Sequence, residues 1–145
     1  MKKFKFRLSA ALKARNVALD AAKTELADVS GRHALAEKLL QSRREDLMAL
    51  VQSDHEPGRS LDAYRELLRQ RHQHQVREEI GRREHIVIKL IEEMDEARQK
   101  VADAYREVRA LEVLEERDRL EWIEETRREE QKENDEHNSQ RFGRS

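Results

Sequence analysis

Ser53-Asp54-His55-Glu56-Pro57-Gly58-Arg59-Ser60 is the stretch whose reading decides the fold of this chain. It holds the only proline among 145 residues, and a glycine follows directly. Proline lacks an amide hydrogen and disfavours helix at the residue before it, while glycine takes positive φ without strain. A helix arriving from the N-terminal side therefore stops before Pro57. Ser60 offers its hydroxyl to the free N–H groups of a helix beginning at Leu61, and Asp62 suits that helix's positive end. Long polar segments with helical apolar spacing lie on either side. The fold class that follows is all-α: an antiparallel two-helix coiled-coil hairpin.

Composition agrees. Charged residues make up 42% and aromatics 4%, with four glycines, too few bulky side chains for a wide core and too little turn chemistry for a sheet. A mean hydropathy of −1.04 would suit disorder, but the charges alternate in sign, net −1, and an apolar seam repeats through them. The absence of cysteine rules out disulfides and Cys-ligated metal. Met1 is followed by positive charge but by no continuous apolar stretch, and no run approaches the roughly 18 apolar residues of a membrane span. A cytoplasmic protein is expected, with any membrane association peripheral and no direct insertion.

Working back from the turn, a seven-residue repeat runs from Ser9 to Gln52. Leu12, Leu19, Leu26, Leu40 and Leu47 fall on one register, with His33 in its polar slot. Leu8, Ala22, Val29, Ala36 and Leu50 fall on the second, interrupted by Arg15 and Arg43. A heptad kept this long holds one seam against a partner helix as the pair supercoils. Residues 1–8 read as a cationic arm carrying two phenylalanines, either a solvated end or a docking anchor.

Working forward, Leu61, Tyr64, Leu67 and Leu68 make a short amphipathic piece. Polar residues from Gln70 to Glu79, then Gly81, interrupt the seam, so a kink or a short middle helix over residues 61–80 is expected. The repeat resumes with Ile80, Val87, Met94, Val101 and Val108 on one register and Leu90, Ala97, Ala104 and Leu111 on the other. Beyond Leu111 the spacing of Leu114, Trp122 and Ile123 suggests a stutter. The expected single domain thus comprises helix one over residues 9–52, the turn, the piece over 61–80, a long helix over 81–136 and a loose tail over 137–145. Helix one spans roughly 66 Å, whereas residues 60–136 as one helix would span about 115 Å. Either the later helix overhangs, or residues 61–78 form a separate cap. Residues 1–15 carry six basic side chains and no acid, and residues 112–136 carry twelve acids against five bases. Antiparallel folding brings these blocks together, setting orientation more than stability.

Catalysis finds no support in the motifs: there is no glycine-rich phosphate loop, zinc-binding His-Glu-x-x-His or cysteine nucleophile. His72 and His74 point to different faces of a helix, and His85 lies about 16 Å beyond His74 along the axis. No cofactor or metal is expected, and nucleic acid is not an expected partner, since glutamates accompany most of the later arginines.

Three pieces resemble the flagellar export protein family called FliJ, relatives of the stalk proteins of virulence type III secretion. The first is Lys3-Phe4-Lys5-Phe6-Arg7-Leu8 with Leu12 and Arg15. The second runs from Ala104-Tyr105-Arg106-Glu107-Val108-Arg109 through Ala110-Leu111-Glu112-Val113-Leu114-Glu115-Glu116-Arg117. The third is Asn134-Asp135-Glu136 followed by Gln140-Arg141-Phe142. Asn134, where an apolar residue is usual, and Ala11 in the leucine-rich opening depart from the pattern. The resemblance spans the full length and implies a non-enzymatic coupling stalk, monomeric when free. Such a stalk enters the hexameric flagellar export ATPase ring and stimulates it, contacts the export gate membrane protein, and meets export chaperones at the cytoplasmic side of the membrane. By that analogy Phe4, Phe6, Arg7, Arg15, Tyr105, Arg109, Glu116 and Arg117 face the ATPase, and residues 57–68 face the gate. The alternatives are the corresponding stalk of an injectisome, a homodimeric coiled-coil scaffold, and a polyanion or membrane-surface binder using residues 1–15.

Overall fold

A computed structural model of the protein describes residues 2–53 and 62–143. The expected turn at Pro57 and Gly58, and the cap at Ser60, lie outside the described residues. Two helices account for nearly everything else: α1, Ser9–Ser53, and α2, Ala63–Phe142, with no strand among the described residues. They pack antiparallel as a two-helix coiled-coil hairpin. Partners across the seam show the direction, because residue numbers fall along α2 as they rise along α1.

The described part of α2 opens at Ala63, and the expected first residue, Leu61, lies outside the described residues. Asp62 caps the described helix: its Oδ1 accepts from the Tyr64 amide at 3.2 Å, and its carbonyl accepts from the Glu66 amide at 3.0 Å. That satisfies one of the orphan donors of the first turn. From there α2 continues unbroken through the polar stretch, so no kink or separate short helix forms over residues 63–80. The reason lies in the frame. Inward positions recur at Glu66, Arg69, Gln73, Val76, Ile80, Arg83, Val87 and Leu90, alternating steps of three and four. The heptad persists there with polar side chains in some of its seam slots, and Gln73 is buried at 8% exposure. At the far end α2 passes Glu136 and runs to Phe142, so residues 137–142 are helical rather than a loose tail. The stutter is also absent. Trp122 stays in the frame of Val108, half-buried, while Ile123 is exposed.

Contacts divide the chain into two units, Ala22–Val101 and Met1–Ala21 with Ala102–Ser145. In the first, Ala22, Val29, Leu40, Val76, Ile80, Val87, Leu90 and Ala97 are buried. Leu26, Leu47, Met94 and Val101 are half-buried on the same seam. Leu40, Val76, Ile80 and Val87 form a core cluster, against which Ala36, Leu47 and Leu50 pack. Ion pairs flank it: Lys100 with Glu25 at 3.3 Å, Arg32 with Glu93 at 3.4 Å, and Arg44 with Glu84 at 3.2 Å. Glu79 accepts from both Arg83 (3.0 Å) and Arg43 (3.2 Å). The Arg83 hydrogen bond, aided by the charge of Arg43, outweighs partial desolvation and holds this carboxyl below its ordinary value of 4.5. His33 occupies its seam slot half-buried, with Nε2 3.5 Å from the Glu37 carboxylate.

In the second unit Phe6, Leu19 and Val108 are buried, and Leu12 and Leu111 are half-buried. Arg15, in a seam slot the sequence marked as an interruption, reaches across α2 to Glu107 at 2.7 Å.

Candidate partner-binding site

The residues singled out from sequence separate into two groups. The first belongs to the N-terminal arm and the start of α1. Residues 2–6 have no regular secondary structure and lead into α1 through a turn in which the Ser9 amide donates to the Phe6 carbonyl at 3.2 Å. Phe6 is only 7% exposed, so this side chain is core rather than surface. Phe4 is half-buried, its ring centroid 6.0 Å from that of Trp122 at an interplanar angle of 54°. The Arg119 guanidinium carbon lies 5.5 Å from the same Phe4 ring. A tilted aromatic pair and a cation over a ring face are both favourable arrangements of the ring quadrupole. Arg7 is exposed, and Arg15 is engaged with Glu107.

The second group lies on α2 and faces solvent. At 3.6 residues per turn, Tyr105, Arg109, Val113, Glu116 and Leu120 share one face within about 80° of arc, with Arg117 beside it. Tyr105 is 58% exposed, Val113 49% and Leu120 60%. Arg109 reaches Glu112 on its own helix at 3.5 Å. Tyr105, Arg106, Arg109, Ala110, Val113 and Leu114 line a shallow apolar groove. Sequence reasoning named Tyr105, Arg109, Glu116 and Arg117 but missed Val113 and Leu120 as exposed members of the same strip. Their distance from the seam register was the signal available.

In the other unit Tyr64, Leu67 and Leu68 are exposed on the opening turns of α2, where the gate contact was expected. Ile86, Ile88 and Ile91 are exposed further along. His72, His74 and His85 are exposed, and His74 sits 3.1 Å from the Glu78 carboxylate. Among the described residues no group of three or more His, Asp or Glu side chains is placed to hold a metal ion, and no helix is long and apolar enough to cross a membrane.

Neither the curated proteins nor the solved structures include a match to this chain. The family described as Flagellar FliJ protein matches residues 4–145. That span takes in the arm from Phe4 onward and both helices. On that match the chain belongs to the FliJ family of flagellar protein export components.

Proposed function

We propose that this chain is a non-enzymatic coupling stalk of flagellar protein export, working as a monomer on the cytoplasmic side of the cell membrane. In this reading the exposed strip of α2 from Tyr105 to Leu120 binds the hexameric export ATPase and raises its turnover. The apolar residues Tyr64, Leu67 and Leu68 meet the export gate, and the charged helix faces receive export chaperones.

The observation that carries the reading is the strip itself. Large apolar side chains and arginines share one solvent-facing arc, apart from the seam where Leu19 and Val108 are buried. Aromatic and arginine side chains are the ones enriched where interfaces gain most of their energy. Phe4 and Phe6 contribute differently from the sequence-based expectation. They are engaged within the chain, so they support the site's shape and do not serve as free anchors.

The test separates binding from folding. A variant carrying Tyr105→Ala, Arg109→Ala and Arg117→Ala is expected to keep the helical circular dichroism of the parent and to lose stimulation of the purified export ATPase. Full stimulation by that variant would remove the strip from the mechanism.

A further inference from the structure

The N-terminal arm engages α2 through Phe4. Phe6 is buried, and the Phe4 ring packs near both the Trp122 ring and the Arg119 guanidinium. Ahead of them, Lys2 lines a cavity together with Trp122, Thr126 and the carboxylates of Glu125, Glu129, Glu130 and Glu133. The arm brings Lys2, Lys3, Lys5 and Arg7 with no acid among them, and the facing wall of α2 brings four glutamates. Aromatic contacts and charge thus act at the same place. Residues 2–6 form no helix and pair with no strand, so little regular backbone structure has to break for them to leave. Lys2, Lys3, Lys5 and Arg7 are exposed, so any attraction between them and the glutamates is open to screening by salt.

We infer that residues 2–6 are a displaceable strap: an intramolecular ligand seated in a groove of α2 that receives a cationic segment bearing an aromatic side chain. In the free chain the occupant is the protein's own N-terminus. Its departure uncovers the indole of Trp122 and the glutamate wall for another segment of the same chemistry. The strap stands independently of the ATPase assignment, because its test contains no second protein.

Trp122 is the chain's sole tryptophan, so intrinsic fluorescence of the full-length protein reports this groove alone. Phe4→Ala is expected to shift its emission to the red by several nanometres and to raise acrylamide quenching, with far-UV circular dichroism unchanged. The unsubstituted protein is expected to show the same red shift on passing to about 1 M sodium chloride, where the screening length is only about 3 Å. A variant with Lys2→Gln, Lys3→Gln and Lys5→Gln, which keeps both phenylalanines, should begin part-way shifted and respond less to salt. A synthetic peptide of residues 2–8, added in excess to the Phe4→Ala protein, should reverse the shift. Emission and quenching that ignore Phe4→Ala would show that the arm does not cover the indole. An arm that ignores salt, or a peptide without effect, would show a fixed structural contact and overturn the strap.

Discussion

Leu39 and Leu40 are neighbours in sequence with opposite fates. Leu40 is 6% exposed in the cluster with Val76, Ile80 and Val87, while Leu39 is 42% exposed. Truncation of a buried leucine removes its transfer energy and leaves a cavity, so Leu40→Ala is expected to cost about 2–5 kcal/mol in urea unfolding. Leu39→Ala should stay within about 0.5 kcal/mol of the parent. Equal losses would mean that the seam register is wrong. At Glu79 the residue-scale prediction concerns pH. Its folded pKa lies below the ordinary 4.5, so its contribution is complete above that value and is lost as the pH falls through the lower folded value. The stability gap between the protein and Glu79→Gln should therefore be present at neutral pH and shrink in acid below the usual glutamate range. A gap that stays constant into acid would contradict the pairing with Arg83 and Arg43.

At the scale of the element, the continuity of α2 through its polar stretch was the result that composition obscured. Gly81 and a run of glutamines, histidines and arginines read as a break, yet seam slots keep their spacing and only their occupants change. Helices survive such stretches when their neighbours on either side are packed, because propensity is a weak term beside tertiary burial. Gly81 has nothing within 4 Å of where a Cβ would stand. Gly81→Ala should therefore raise thermal stability, by up to about 1 kcal/mol, the helix preference of alanine over glycine. A destabilised Gly81→Ala protein would show that the break inferred from sequence is real. The cap at Asp62 follows a similar logic. Asp62 was expected to suit the helix's positive end, and its side chain accepts from the Tyr64 amide.

For the whole molecule, the two-helix layout, the antiparallel direction and most seam residues could be read from a single line of sequence. Period seven is a local, additive signal, and such a signal survives without coordinates. Of the residues expected at a partner surface, Tyr105, Arg109, Glu116 and Arg117 lie on α2 facing solvent, whereas Phe6 is buried and Phe4 packs on Trp122. Nothing in the spacing of Phe4 and Phe6 tells whether an exposed-looking aromatic meets another protein or residue 122 of its own. The sequence by itself determined what repeats: helix, seam and sign of charge. Tertiary structure alone decided where the arm rests, that Phe4 packs beside Trp122 and Arg119, and that α2 carries on through its polar turns. Those outcomes depend on which side chains from distant parts of the chain fill the same space, and packing of that kind has no period to read.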